Sequence, residues 1–322
     1  MDREFINWGV IGCARIADWQ VIPGMKKANN AKLYAIAGRN KERVDEFKDK
    51  YNFVKSYYSY DELLEDSNID AVYIPLPNAL HLEWVLKAAA KKKHILCEKP
   101  LGCNSDELNT MKEACEKNGV LLMEAFAYRH NLLTSKLKEL LDQGIIGKLK
   151  LILANFTDML TNKEDIRFVK DLGGGATYDL GSYCVNIIRY LAGSEPISVV
   201  AAGKICPDSG VDLSSFAILN FKDDLKGMFH CAFDSFYRSE YQIVGEEGII
   251  DVPKGFNQEG DIDIIIKKKK HTEIITVSTP SGYMLEIEQL GRCILNGEKP
   301  LVTLIDTYSN AQVIDNILKL IV

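Results

Sequence analysis

The sequence has few of the features that mark membrane and nucleic-acid-binding proteins. No apolar run approaches the roughly 18 to 20 residues that cross a bilayer, and residues 1–5 lack the basic and then apolar pattern of an export signal. Positive charge is in deficit, because 39 Lys and Arg stand against 45 Asp and Glu, for a formal net charge of −6. We therefore expect neither a membrane nor a nucleic acid among its partners.

Metal-binding and disulfide patterns are missing as well. The eight cysteines are scattered, without a C-x-x-C pair or a Cys/His cluster. In a chain with no export signal, this spacing favours free thiols in a reducing cytoplasm over a disulfide framework or a zinc site. We therefore predict a cytoplasmic protein that binds no metal.

A turn of small residues near the start of the chain predicts a dinucleotide site. A short apolar run ends at Gly12, where a helical pattern begins at once. Gly12 permits the tight turn, Ala14 lets a pyrophosphate approach the main chain, and Ala17 lets helix and strand pack closely. The unpaired N–H groups of the helix N-terminus suit a phosphate. The predicted cofactor residues of this turn are Gly12, Cys13, Ala14, Arg15, Ile16 and Ala17.

The turn is a reduced form of the G-x-G-x-x-G motif, with alanine in place of the second and third glycines. Alone it also fits a strand-to-helix turn of some other α/β domain. Its position favours the dinucleotide site, because strand-like and helix-like segments alternate after it for about 120 residues.

The next predicted strand, residues 31–38, ends in Gly38, Arg39 and Asn40. An NAD site usually has a carboxylate here for the ribose 2′-hydroxyl, whereas Arg39 suits a 2′-phosphate. We therefore predict cofactor contacts from Gly38 and Arg39 and favour NADP(H), with NAD(H) possible. The alternative is that Arg39 caps the following helix or stacks on the adenine of an NAD enzyme.

A third predicted strand, residues 69–76, leads into Pro77, Asn78 and His81. Ligands bind at the carboxyl ends of parallel strands, so we predict that these three residues face the cofactor. A plain helix N-cap is the alternative for Asn78.

The following predicted strand, residues 94–97, runs into Glu98, Lys99 and Pro100. The proline would hold this turn rigid and place the lysine in a ligand cleft. Glu98 and Lys99 are therefore predicted cofactor contacts, with an ordinary surface ion pair as the alternative. The helix at residues 105–118 is predicted to be capped by Ser105.

From residue 148 onward the pattern changes to alternating runs separated by turns, which indicates a mostly antiparallel sheet. One helix interrupts it after a glycine turn at residues 173–175, and Asp179 and Tyr183 are predicted to share a face at i and i+4. Amphipathic helices are predicted at 284–295 and 304–320. The predicted strands are 150–157, 197–204, 215–221, 226–233, 241–244, 262–267 and 272–277.

The length of 322 residues suits two domains. We predict an α/β protein with a doubly wound parallel dinucleotide-binding domain at residues 1–125. An α+β domain with a large, mostly antiparallel open sheet is predicted at residues 126–322. This sheet is expected to leave an apolar face uncovered, which normally marks a subunit interface.

Taken in order, the segments 9–17, 37–40, 77–81, 97–100 and 173–183 resemble the Gfo/Idh/MocA family of NAD(P)-dependent oxidoreductases. The resemblance implies a Rossmann domain and a second α/β domain whose open sheet joins the subunits of a homodimer or homotetramer. It also implies sugars, polyols or cyclic diols as substrates, and a cis bond before Pro100.

The helix motif of the family departs here in two places, since Tyr183 stands for a histidine and Asn186 for an acid. The tyrosine form resembles the branch with dimeric dihydrodiol dehydrogenase, D-xylose dehydrogenase and glucose-fructose oxidoreductase. The resemblance implies Lys99, Tyr183 and Asp179 as the catalytic residues. The substrate-binding residues that we predict are Lys99, Tyr128, Arg167, Asp179 and Tyr183, with Phe156 and Phe236 nearby.

We predict that Tyr183 moves the proton of the substrate hydroxyl during hydride transfer. An isolated phenol titrates near about 10, so it needs a neighbouring cation, and Lys99 is the obvious supplier. The alternative is that Tyr183 is only a packed aromatic. Two other functions stay open: a non-catalytic NAD(P)-binding regulator, and a lyase-type enzyme that uses bound NAD⁺ on glycosides.

Overall fold

The computed structural model describes residues 4–321, which form two compact units. The first unit holds the chain up to His130 together with Ser281–Tyr308, and the second holds Asn131–Pro280 and the chain from Ser309 onward. The predicted division at residue 125 assigned Ser281–Tyr308 to the second domain. This segment lies in the first unit because its helix contacts a helix of that unit and the turn at Ala127–His130.

A six-stranded parallel sheet forms the core of the first unit, in the order β3-β2-β1-β4-β5-β6. The order reverses between β1 and β4, which is the switch point where such sheets bind ligands. The doubly wound parallel sheet is thus confirmed. Its strands are β1 Ile6–Ile11, β2 Ala31–Ala37, β3 Lys55–Tyr57, β4 Ala71–Ile74, β5 His94–Glu98 and β6 Leu122–Ala125.

Helices cover this sheet, and side-chain caps fix where two of them start. Asn40 accepts a hydrogen bond from the Arg43 amide, and Asn104 accepts one from the Glu107 amide. The predicted cap Ser105 is therefore wrong by one position, because the asparagine before it fills that role. The helices are α1 Ile22–Lys27, α2 Lys41–Tyr51, α3 Tyr60–Glu65, α4 His81–Ala90, α5 Ser105–Asn118 and, later in the chain, α8 Gly282–Asn296.

An eight-stranded sheet forms the second unit, in the order β14-β13-β12-β11-β7-β10-β9-β8. All its pairs are antiparallel except β7 with β10, which confirms the mostly antiparallel sheet. The strands are β7 Leu149–Met159, β8 Ser198–Ile205, β9 Asp212–Asn220, β10 Lys226–Ala232, β11 Asp234–Gly245, β12 Gly248–Val252, β13 Gly260–Lys268 and β14 His271–Thr279. The helices are α6 Leu132–Asp142, α7 Ser182–Ala192 and, from Ser309 onward, the greater part of α9 Leu304–Ile321.

One face of this sheet carries exposed apolar side chains. Val200 pairs with Ile218, Ile218 pairs with Met228, and Met228 pairs with Leu153, so the four lie in one row across four strands. Val200, Ile218 and Met228 remain 59%, 37% and 38% exposed. An apolar row of this kind on a sheet face is what a partner surface normally covers.

Within residues 4–321, no helix is both long and apolar enough to span a membrane. The same residues contain no group of three or more His, Cys, Asp and Glu side chains arranged to hold a metal ion.

Candidate active site

The glycine turn follows β1 and has the shape that a bound pyrophosphate needs. Gly12 has a φ of +118°, and a Cβ there would lie 3.1 Å from a methyl group of Leu76. Its N–H donates to the Ala37 carbonyl at 2.8 Å, which ties the ends of β1 and β2 together. Ala17 is fully buried, so only a small residue fits at that point. This cradle fits a dinucleotide.

Cys13, Arg15 and Ile16 complete the predicted turn. Burial raises the pKa of Cys13 to about 11, so its thiol stays neutral and does not repel a phosphate. Arg15 is exposed, with its guanidinium 5.1 Å from the centre of the Trp19 ring. Ile16 is half-buried and already helical, and a π-helical turn at Ala17–Val21 follows it directly.

Arg39 lies beside the glycine turn, on the side of the second strand. Its positive charge opposes the rise that burial causes in the pKa of Tyr60. The Tyr60 hydroxyl would be 3.8 Å from a Cβ on Gly12. Gly38 has no room for a side chain, since a Cβ would come within 2.6 Å of Val44. Because Asn40 caps α2, Arg39 is not needed as the cap.

The segment after β4 differs from its prediction. His81 is fully buried, and its Nε2 and Nδ1 lie 2.8 Å and 3.0 Å from the carbonyls of Leu76 and Pro100. Its side chain therefore joins two turns of the backbone rather than facing a cofactor. Pro77 and Asn78 are half-buried, and Asn78 begins a 3₁₀ turn at Asn78–Leu80 that precedes α4. Pro77 and Leu80 occupy the cap positions of this turn and of α4, so Asn78 is the first residue of the 3₁₀ turn and not its N-cap.

Lys99 follows β5 on a turn that is held by hydrogen bonds to the two neighbouring strands, β4 and β6. The Lys99–Pro100 bond is cis, as the resemblance implies. Glu98 accepts a hydrogen bond from the Tyr73 hydroxyl at 2.5 Å, and buried Glu124 accepts one from the Leu101 amide at 2.9 Å. These bonds hold the residues on both sides of Lys99, which is itself half-buried.

In the second unit, Asp179 lies on a π-helical turn at Thr177–Gly181 that leads into α7. Its carboxylate accepts a hydrogen bond from Arg167 Nε at 2.6 Å, and Asp165 is a second partner of that guanidinium. The two carboxylates, Asp179 first, raise the pKa of Arg167 above its usual range. The α-helical spacing assumed for Asp179 and Tyr183 is thus replaced by a wider turn just before Tyr183.

Buried Asp212 anchors the start of this turn. Its Oδ2 accepts hydrogen bonds from the backbone N–H and the hydroxyl of Thr177, both at 2.7 Å. The hydroxyl of Thr177 also lies 2.8 Å from that of Ser215. The helix that carries Asp179 and Tyr183 is therefore fixed to strand β9.

Tyr183 lies in an aromatic cluster, with only 7% of its surface exposed. The rings of Phe156 and Phe256 stack on each other at 5.1 Å, and each ring centre is 5.4 Å from that of Tyr183. The Tyr183 hydroxyl accepts a hydrogen bond from Asn257 Nδ2 at 3.0 Å. The aromatic cluster thus holds the ring of Tyr183, and the hydrogen bond from Asn257 holds its oxygen.

Two aromatic residues are not where a substrate contact was expected. Tyr128 is fully buried and packs edge-to-face on Phe126, with ring centres 5.9 Å apart. Phe236 is 86% exposed on β11. Tyr128 therefore belongs to the core, and Phe236 to the surface.

Sequence reasoning missed five residues that support the site: Tyr60, Tyr73, Glu124, Asp212 and Asn257. The carboxyl groups carried a usable signal, because an acid inside an apolar strand or at its first position needs a partner when buried. The two tyrosines and the loop asparagine had none, since their partners lie far away in the sequence.

Two family models match the chain, and the boundary between them lies near the first unit boundary of the fold. Residues 6–126 match the oxidoreductase family with an NAD-binding Rossmann fold, of the Gfo/Idh/MocA type. Residues 134–251 match the Gfo/Idh/MocA C-terminal domain.

Several known proteins are similar over nearly the whole chain. D-xylose 1-dehydrogenase (NADP(+)) 2 of Haloferax volcanii is 33% identical over 96% of this chain and 95% of its own. Trans-1,2-dihydrobenzene-1,2-diol dehydrogenase of Xenopus laevis is 31% identical over 97% of both chains. A 3-ketoreductase from Actinomadura kijaniata, solved with NADP and TDP-benzene, has a TM-score of 0.94 at 27% identity and covers 98% of this chain and 97% of its own.

Proposed function

The chain belongs to the Gfo/Idh/MocA family of NAD(P)-dependent oxidoreductases, and from this we propose that it transfers a hydride between the nicotinamide and a carbinol carbon of a sugar, polyol or cyclic diol. The observation that carries the proposal is Lys99 at the carboxyl end of β5. That end lies at the same edge of the parallel sheet as the Gly12 turn.

The bound nicotinamide would accept or supply the hydride, while the protein handles the proton. We assign that proton to the hydroxyl of Tyr183, whose oxygen is held by Asn257. Lys99 would favour the phenolate electrostatically and contact the nicotinamide ribose or the substrate. Asp179, paired with Arg167, would bind a further substrate hydroxyl. The protein thus offers a proton acceptor, a cation and a polar pair.

Relatives define the substrate panel that tests this function. They are named for D-xylose, for trans-1,2-dihydrobenzene-1,2-diol and for a dTDP-linked keto sugar. We expect NADPH absorbance to rise when the protein meets NADP⁺ and at least one sugar, polyol or cyclic diol. Cleavage of glycosides with a cofactor that is never released would instead identify the lyase-type enzyme. Cofactor binding without turnover on the whole panel would identify the regulator.

Cofactor choice gives a separate prediction. We expect NADP⁺ to bind more tightly than NAD⁺, and Arg39→Ala to weaken NADP⁺ binding by roughly tenfold or more, because a hydrogen bond to a charged group contributes about 1.5–3 kcal/mol. NAD⁺ affinity should barely change. Arg43 is exposed one helical turn later and is a second candidate for the phosphate. Fluorescence titration of both cofactors measures this.

Arg292→Ala is the matched control for Arg39→Ala, because Arg292 pairs with Glu298 on the surface of the same unit. It should leave both affinities unchanged. Tighter binding of NAD⁺ than NADP⁺ by the unaltered protein would show that Arg39 has another role, such as stacking on adenine.

We also propose that the exposed row on the eight-stranded sheet joins subunits into a homodimer or homotetramer. Replacing Ile218 and Met228 together by Lys should give a monomer, because the interface would have to bury two charges. Val54→Lys is the control, since Val54 is 65% exposed on the other unit. Sedimentation at micromolar concentration measures the mass. An unaltered protein that sediments as a monomer would rule out this assembly.

We place the protein in the cytoplasm. None of the eight cysteines forms a disulfide bond, and burial raises the pKa of Cys97 and Cys184 well above the ordinary thiol value. Protonated thiols of this kind are inert, and a reducing compartment keeps the more exposed ones reduced.

A further inference from the structure

The loop between β12 and β13 brings an amide to the Tyr183 oxygen. Asn257 Nδ2 donates to the Tyr183 hydroxyl at 3.0 Å. The backbone of Asn257 is left-handed, with a φ of +51°. Asparagine is among the few residues with a side chain that adopt this conformation readily. Asn257 therefore both adopts the left-handed backbone of this turn and supplies a hydrogen-bond donor.

The loop holds this amide in place from both sides. Before Asn257, the backbone N–H groups of Gly255 and Phe256 donate to the carbonyl and hydroxyl of Ser239, at 2.6 Å and 3.1 Å. After it, the carbonyl of Gln258 accepts a hydrogen bond from buried Asn131 at 2.7 Å. The donor is thus positioned before any ligand arrives.

The amide meets the phenol oxygen through Nδ2, so it presents an N–H donor there, and it does so without a net charge. Its Oδ1 is buried and has no hydrogen-bond partner within the described part of the chain.

We propose that Asn257 is a positioning residue that stabilises the deprotonated form of Tyr183. The inference rests on the proposed role of Tyr183 as the group that moves the proton. A donor aimed at the oxygen favours the phenolate over the phenol, because the phenolate is the stronger acceptor. Asn257 and Lys99 would then act in the same direction, one by a hydrogen bond and the other by charge.

Two substitutions at Asn257 separate this role from a structural one. Asn257→Gly removes the amide and relieves the left-handed backbone, so the loop keeps its shape. Asn257→Asp keeps the shape of the side chain but offers a carboxylate, which accepts from the phenol and opposes its ionisation. Gln258→Ala is the matched control, because that side chain donates to the Phe256 carbonyl.

The first readout is the pH dependence of D-xylose oxidation by NADP⁺. Asn257→Gly should move the midpoint of the profile upward by roughly one pH unit, since one donor to a charged group is lost. Turnover at neutral pH then falls about tenfold and recovers at higher pH. Asn257→Asp should move the midpoint further, and Gln258→Ala should leave it unchanged. A loss that is equal at every pH would overturn the proposal.

The second readout needs no substrate. Isotope-labelled tyrosine in the free protein gives an NMR signal for Tyr183, which the Tyr183→Phe variant assigns. Its titration midpoint should rise in Asn257→Gly and rise more in Asn257→Asp, and an unmoved midpoint would refute the inference by itself. If Tyr183→Phe retains full turnover, the proposed role of Tyr183 in catalysis fails instead. The two failures are therefore distinguishable.

Discussion

Tyr183→Phe is expected to lower turnover by roughly 10²–10⁴, the range that general acid–base catalysis supplies, while cofactor affinity is retained. The change removes one oxygen atom. Phe156 and Phe256 should still hold the ring, because each packs on it with ring centres 5.4 Å apart. Steady-state kinetics with one accepted substrate, across pH, and cofactor titration of the same preparation measure both quantities.

Tyr190→Phe is the matched control, because it removes a hydroxyl from the same helix two turns further along. It should leave turnover unchanged. If Tyr183→Phe also keeps near-normal turnover with its pH limb unmoved, Tyr183 is a packing residue of the aromatic cluster. Lys99 or an ordered water would then carry the proton.

Lys99→Met is expected to change more properties than Tyr183→Phe does. Under the roles proposed above, it removes the cation that would favour the phenolate and a contact that Lys99 would make to the nicotinamide ribose or the substrate. Turnover should fall on the same order of 10²–10⁴, and cofactor binding should weaken by roughly tenfold or more, as for a lost hydrogen bond to a charged group. The pH limb at which Tyr183 loses its proton should move upward. Kinetics across pH and cofactor titration measure the three effects.

Lys117→Met is the control for this change, since Lys117 is an exposed residue near the end of α5 in the same unit. It should alter none of the three properties. If Lys99→Met weakens cofactor binding but leaves turnover and the pH limb unchanged, Lys99 serves only to bind the cofactor. Turnover would then have to depend on Tyr183 without electrostatic help.

The fold was largely predictable because its elements are periodic. Most buried strands of the parallel sheet are apolar runs. In the second, mostly antiparallel sheet, the predicted strand at residues 226–233 differs from β10 only at its C-terminal end. The elements that were missed are those whose pattern is weak. β3 has three residues, β12 has five, and α6 follows directly from the turn at Ala127–His130. Short segments of this kind take their structure from neighbours that are distant in the sequence.

The turns at strand ends were more predictable than the directions of single side chains. Gly12 has the left-handed backbone that its motif predicts, because a local motif reports backbone shape. The cofactor roles of Gly12 and Arg39 stay predictions. His81 and Tyr128 misled the prediction because a strand end says nothing of which way a side chain turns, and both are fully buried. Asn257 could not be predicted, since its partner lies 74 residues away. The roles assigned to Lys99, Tyr183 and Asp179 stay predictions.

The π-helical turns at Ala17–Val21 and Thr177–Gly181 bear on how relatives of this chain are aligned. Each widens its helix by hydrogen bonds from i to i+5, in place of i to i+4. A relative lacking one residue there would recover regular α-helix, but the helix on one side of the gap would turn by about 100° relative to the other. In the second helix, the side chains aligned with Asp179 and Tyr183 would then point in new directions, although the residue types still matched. Gaps inside these two helices therefore carry as much functional information as the residues beside them.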